Sequence, residues 1–126
     1  MTAMQPLSQS LEDYIEAIYM LIESNGEACV RDIARTLGVK MPSVVKALRE
    51  LKNLDLATQE PYAPVKLTQE GERLARNILG RHTLLREFLV KLGVAEKTAD
   101  IDACRMEHIL SAETLDRISR FTKKTK

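Results

Sequence analysis

Apolar side chains recur along this chain mostly at helical spacing, and the breaks between runs fall on glycine, proline and short polar clusters. Leu11, Ile15, Ile18 and Ile22 keep the rhythm of one helix face, with Tyr14 and Tyr19 flanking the stripe and Asn25-Gly26 closing it. Between Val30 and Leu51 two shorter runs follow: Ile33, Ala34 and Leu37, then Val44, Val45, Leu48 and Leu51, with Gly38-Val39 between them. Ala34 is small enough for close helix packing, Gly38 supplies a left-handed turn, and Pro42 suits a first helical turn. The segment predicts a helix-turn-helix. Leu56 to Gln59 and Val65 to Leu67 then predict two short strands around Pro61-Tyr62-Ala63-Pro64, a β wing.

Beyond the wing, Thr68-Gln69-Glu70-Gly71 predicts a capped helix start. Leu74, Ile78, Leu79, Leu85, Phe88, Leu89 and Leu92 exceed one narrow stripe, so this long helix is expected to pack against more than one neighbour before Gly93 ends it. Another helix is predicted through Ile101 to Leu110, and Ser111 caps a last one carrying Leu115, Ile118 and Phe121. The tail Lys123-Lys124-Thr125-Lys126 is expected to be solvated and disordered. The fold class is therefore mainly α: a winged helix-turn-helix DNA-binding domain over residues 1–76, then an all-helical domain over 77–126. The last helices are too few and too apolar to stand alone, and a homodimer interface is their natural use.

Composition changes this picture little. With 126 residues, 44% apolar and 29% charged, the chain reads as an ordinary globular protein. No apolar run approaches the roughly 18 residues of a membrane span, and Met1 to Gln9 lacks the basic and apolar parts of a signal peptide. A cytoplasmic location is expected, in which Cys29 and Cys104 would be reduced. Charge is more informative because it is uneven. Residues 1–29 carry five acids and no Lys or Arg, whereas residues 30–76 hold nine basic and six acidic side chains, and residues 77–126 ten and seven. An acidic start calls for a cation, and a basic middle suits phosphate.

Cys104, Glu107 and His108 stand three and four residues apart, which on a helix would place thiol, carboxylate and imidazole on one face. That is a metal half-site. The other histidine, His82, lies just upstream, and Asp13 and Glu16 form an acidic pair near the start of the chain. Six donors exceed one tetrahedral zinc and suit a six-coordinate ion, or two ions bridged by Glu16 and Glu107. Oxygen and imidazole favour Mn²⁺ and Fe²⁺, while a thiolate shifts preference toward Fe²⁺, Co²⁺ and Zn²⁺. Each residue also has a plain structural reading. Asp13 completes a capping box with Ser10, His82 is a half-buried helix residue, Cys104 is a core hydrophobe, and Glu107 pairs with Arg105 or Arg86. On the DNA side, Lys40, Pro42, Ser43 and Lys46 begin the second helix of the motif as base-edge candidates; Arg31, Arg35, Arg49, Lys52 and Lys66 are candidates for phosphate. A metal-independent winged-helix regulator or protein-interaction module is the alternative. An enzyme is disfavoured, because His-Glu-x-x-His, a second cysteine near Cys104 and a glycine-rich phosphate loop are all lacking.

Glu12-Asp13-Tyr14-Ile15-Glu16-Ala17-Ile18-Tyr19, Pro42-Ser43-Val44-Val45, Leu67-Thr68-Gln69-Glu70-Gly71, Arg81-His82 and Cys104-Arg105-Met106-Glu107-His108 together resemble the diphtheria toxin repressor and manganese transport regulator family, in order from about Leu7 to Phe121. The resemblance implies a dimeric winged-helix repressor of metal homeostasis genes, of the two-domain type, with a metal site between the first helix and the dimerisation helices. It implies Asp13, Glu16, His82, Cys104, Glu107 and His108 as ligands and Lys40, Pro42 and Lys46 as residues facing bases. Asp13 and Glu16 are similar to the manganese-responsive branch, and Cys104 to the iron-responsive one. The cofactor expected is thus Mn²⁺ or Fe²⁺, with Zn²⁺ or Co²⁺ able to bind in vitro. Arg86 and Asp100 depart from the iron branch, which has an acid and a histidine at those places.

Overall fold

The structure is a computed structural model, and it describes residues 7–124. Six helices and a two-stranded sheet follow one another as α1 (Gln9–Asn25), α2 (Val30–Leu37), α3 (Met41–Asn53), β1 (Ala57–Thr58), β2 (Lys66–Leu67), α4 (Gln69–Leu92), α5 (Glu96–Met106) and α6 (Ala112–Lys124). They form two compact units, dividing after Arg76.

In the first unit α1 packs on α2 and α3, and its stripe supplies Ile15 and Ile18 with no exposed surface. Ile33 and Ala34 of α2 and Val44, Leu48 and Leu51 of α3 complete this core. The turn between α2 and α3 is set by Gly38 at φ 67°, and Val39 N–H donates to Ala34 O at 3.0 Å. A side chain with a Cβ would be strained in that left-handed conformation. Val45 departs from expectation. It is 47% exposed, because one residue past buried Val44 is about 100° around the helix.

Antiparallel β1 and β2 pair Ala57 with Leu67 and Thr58 with Lys66, and an isolated bridge joins Ala28 to Val65. The strands are shorter than the hydrophobic pattern implied. Between them Ala63 N–H donates to Glu60 O at 3.0 Å, closing a turn whose third residue, Tyr62, has φ 62° and is fully exposed. Gln59 Nε2 donates to Ala63 O at 2.9 Å and braces the wing. Thr68 joins wing to helix: its Oγ1 donates to Asp55 O at 2.7 Å and accepts from Gly71 N–H at 3.1 Å. Gly71 lies so close under the Leu56 carbonyl that a Cβ there would collide with it.

In the second unit Ile78 and Leu85 of α4 and Ala99 and Ala103 of α5 are fully buried. Phe88 meets Phe121 of α6 edge to face at 6.1 Å, and Lys91 Nζ donates to Thr122 O at 2.8 Å. Ser111 Oγ accepts from Thr114 N–H at 3.2 Å at the start of α6. Two boundaries differ from the sequence pattern. The helix predicted through Leu110 stops at Met106, and Ser8, not Ser10, caps α1 by accepting from Leu11 N–H at 3.2 Å. Of the expected disordered tail, Lys123 and Lys124 are helical and exposed, while Thr125 and Lys126 lie outside the described residues.

Candidate metal centre and nucleic-acid interface

The early end of α5 decides how the chemistry is displayed. Glu107 N–H still donates to Ala103 O at 3.0 Å, but His108 N–H turns to Arg105 O at 3.4 Å, so the chain tightens where the helix ends. Glu107 and His108 therefore sit on a terminal turn rather than on the helix face expected for them. Arg81 of α4 fixes that turn by donating from Nη1 to Glu107 O at 2.8 Å. The result buries both side chains, Glu107 at 0% and His108 at 1% exposure.

Here His82, Glu107 and His108 come together. His82 Nδ1 lies 3.7 Å from Glu107 Oε1, and His108 Nε2 lies 3.6 Å from the same oxygen. These separations exceed the roughly 2.7–3.2 Å of an N–H···O hydrogen bond. Two ligands about 2.1 Å from one ion stand about 3.0 Å apart at a right angle and about 3.6 Å apart at 120°. Both pairs thus have the spacing of neighbouring ligands on an ion. His82 Nδ1 is, moreover, buried and without a hydrogen-bond partner, a state that a cation would relieve. Among the described residues no group of three or more His, Cys, Asp and Glu side chains is preassembled to hold an ion. His82, Glu107 and His108 are a partial set of donors, of the imidazole and carboxylate types that divalent metals take.

On its other side His82 meets Asp100 of α5, Nε2 to Oδ1 at 2.8 Å, and Arg86 stands between Asp100 and Glu96, at 3.6 and 4.0 Å. Arg86 is accordingly on these two carboxylates, not on Glu107. Asp100 carried no role in the sequence reading beyond a departure from pattern; its spacing from His82 gave no signal, since eighteen residues separate them. Cys104 is exposed on the last turn of α5 and is not the core hydrophobe of its plain reading. Asp13 and Glu16 are half-buried, one turn apart on α1. With Ser8 as the cap, Asp13 is no longer needed at the helix start. Cys29 differs from Cys104: its thiol hydrogen-bonds Glu27 at 3.3 Å, and that bond, with partial desolvation, raises its pKa.

The DNA-side candidates all lie in the first unit. Lys40 is the residue before α3, and Pro42, Ser43 and Lys46 are exposed on its first turns. Arg31 and Arg35 are exposed on α2, Arg49 and Lys52 on α3, and Lys66 on β2. Arg35 pairs weakly with Asp32 at 3.8 Å, and Lys52 reaches Gln59 at 3.2 Å. Met41 and Val45, exposed at 49% and 47% beside these cations, went unassigned because apolar residues in a helical run read as core. Such side chains suit the thymine methyl in a major groove.

A helix-turn-helix with a wing, followed by a helical unit that sets a buried carboxylate between two imidazoles, defines a DNA-binding regulator with a metal-ligating helical unit. The family is then shown by the sequence itself. Residues 6–65 match the iron dependent repressor N-terminal DNA binding domain, and residues 68–126 match the iron dependent repressor metal binding and dimerisation domain. The chain belongs to the iron-dependent repressor family of metal-dependent transcriptional repressors. It is 44% identical over 114 residues to the transcriptional regulator MntR of Escherichia coli, across 90% of this chain and 74% of that protein. To an uncharacterized HTH-type transcriptional regulator of Methanocaldococcus jannaschii it is 39% identical over 122 residues, 95% of this chain and 98% of that one. A manganese-dependent transcriptional repressor solved in complex with manganese matches with a TM-score of 0.81 at 28% identity, over 90% of this chain and 52% of that chain. The chain thus spans about half the length of that solved protein.

Proposed function

We propose that this chain is a homodimeric repressor that binds operator DNA when Mn²⁺ or Fe²⁺ is held by Asp13, Glu16, His82, Cys104, Glu107 and His108, and so controls metal homeostasis genes. The observation that carries the reading is the buried His82 Nδ1, without a hydrogen bond, at ligand spacing from the fully buried Glu107, which has His108 at the same spacing. Three carboxylates, Asp13, Glu16 and Glu107, repel one another when drawn to a common point and attract a divalent cation there. An ion shared by residues of α1 and of the second unit would couple metal concentration to the arrangement of the two α3 helices in a dimer. Lys40, Pro42, Ser43 and Lys46 would then read base edges, with Arg31, Arg35 and Lys66 on phosphates. Moving such a switch from 1:99 to 99:1 takes about 5.5 kcal/mol of differential binding, within reach of a structural metal site.

Leu92, Ile101, Ile109 and Phe121 are exposed in the second unit, apolar side chains that self-association would cover. Among the described residues no helix is long and apolar enough to cross a membrane, and the proposed site of action is the cytoplasm. The test is anisotropy of a labelled duplex, selected from a random pool by the metal-loaded protein. Chelator should release the DNA and restored Mn²⁺ or Fe²⁺ should recapture it. Tight binding that ignores chelator would leave a metal-independent winged-helix regulator.

A further inference from the structure

Two carboxylates flank His82, and their geometry assigns them different work. Asp100 Oδ1 is 2.8 Å from Nε2, at hydrogen-bond distance, whereas Glu107 Oε1 is 3.7 Å from Nδ1. An ionised carboxylate has no proton to give, so Nε2–H donates to Asp100. A neutral imidazole carries one N–H. In the neutral ring that leaves the lone pair on Nδ1, the nitrogen that is buried, without a hydrogen bond and 3.7 Å from Glu107 Oε1.

We propose that Asp100 is a positioning residue for metal binding: by accepting from His82 Nε2–H it fixes the tautomer and ring orientation that present Nδ1 as a ligand. The inference rests on the reading of His82 as a ligand. Asp100 is not itself the better ligand, because Arg86 Nε stands 3.6 Å from its Oδ1 and a guanidinium there repels a second cation. Arg86 instead holds Asp100, while Glu96 at 4.0 Å holds Arg86. The arrangement bridges α4 and α5, and it uses the two positions at which the chain departs from the iron-branch pattern. Partners that orient metal-bound histidines change metal affinity by 10- to 100-fold when removed. Asp100 is 58% exposed, so water competes for its oxygen and the lower end, about tenfold, is expected.

The experiment compares the full chain with Asp100→Ala and Asp100→Asn, the latter keeping an acceptor oxygen without the charge. Mn²⁺ affinity is measured by calorimetry, and the ring tautomers of the metal-free proteins by long-range ¹⁵N–¹H NMR, where two histidines give two ring systems. Asp100→Ala should weaken Mn²⁺ about tenfold and move the His82 ring from the Nε2–H tautomer to a mixture, while Asp100→Asn should keep both close to the parent. Unchanged affinity or tautomer in Asp100→Ala, or an Asp100→Asn as weak as Asp100→Ala, overturns the proposal. A parent chain that binds no Mn²⁺ yet shows the tautomer change would overturn the metal reading instead, with the His82–Asp100 contact intact.

Discussion

Replacing Glu107 by Gln separates a metal ligand from a buried structural carboxylate. The side chain is fully buried, and the substitution keeps its shape while removing the charge between two imidazoles at 3.6 and 3.7 Å. A ligand at one hundred times its Kd stabilises the folded state by about 2.7 kcal/mol. With an unfolding entropy of roughly 2.1 cal/mol/K per residue over 126 residues, that is an upward shift in Tm of about 10 °C. Suppose the neutral amide weakens the ion by about 100-fold, as much as losing a partner that orients a metal ligand costs. The same Mn²⁺ concentration then equals Kd, stabilisation falls to about 0.4 kcal/mol, and the shift shrinks to about 1.5 °C. Calorimetric melts of both proteins, each with and without Mn²⁺, measure the two shifts against their own metal-free references. A Glu107→Gln protein that still gained the full shift would refute the assignment of this carboxylate to the ion.

Three further outcomes follow from particular contacts. Tyr62→Gly should stabilise the metal-free protein by about 0.5–1 kcal/mol in urea, because the third residue of its turn has φ 62°. If the fully exposed ring serves DNA, the same variant should bind duplex more weakly; unchanged DNA affinity removes that role. Gly71→Ala should lose about 1–3 kcal/mol, since its Cβ would meet the Leu56 carbonyl and lie 3.3 Å from Leu67 Cδ2, whereas Gly80→Ala, with open space around it, should gain about 0.5–1 kcal/mol. Equal melting of the two variants would contradict the close approach at Gly71. At pH 7.5–8, iodoacetamide should modify exposed Cys104 before Cys29, whose raised pKa leaves less thiolate at any given pH. Mass spectrometry with and without Mn²⁺ should show metal protecting Cys104 alone, and equal labelling rates of the two thiols would count against this difference.

The helix-turn-helix was legible because its constraints are local. Gly38 must take a left-handed conformation, Ala34 must be small, and the apolar runs on either side have a period that only helices satisfy. Wing strands were legible in place but not in length, since a two-residue ladder leaves almost no alternation to detect. Val45 shows where periodicity misleads. Four apolar residues in a helix do not all face inward when two are adjacent, and Val45 is the one left exposed beside buried Val44. The cap of α1 failed for a related reason: Ser8 and Ser10 are equally good oxygens, and only the backbone of Ser8, extended at ψ 154°, decides between them.

The candidate site was legible by residue type and illegible by geometry. Cys104, Glu107 and His108 have helical spacing, which places them together only while the helix lasts, and α5 ends at Met106. What holds Glu107 and His108 inward is Arg81, twenty-six residues before Glu107, through a backbone carbonyl that no sequence motif encodes. His82 is linked to Asp100 over eighteen residues in the same way. These long-range hydrogen bonds turn a list of donors into an oriented set. That is also why Arg86 and Asp100, a half-buried basic and an exposed acidic residue, bear on the orientation of His82. Changing Arg86 to Glu would put a third carboxylate beside Asp100 and Glu96, replacing a guanidinium at 3.6 Å with a negative charge. The physical consequence is a local field that favours a cation at Asp100, so its carboxylate would be drawn from His82 Nε2 toward whatever ion arrives.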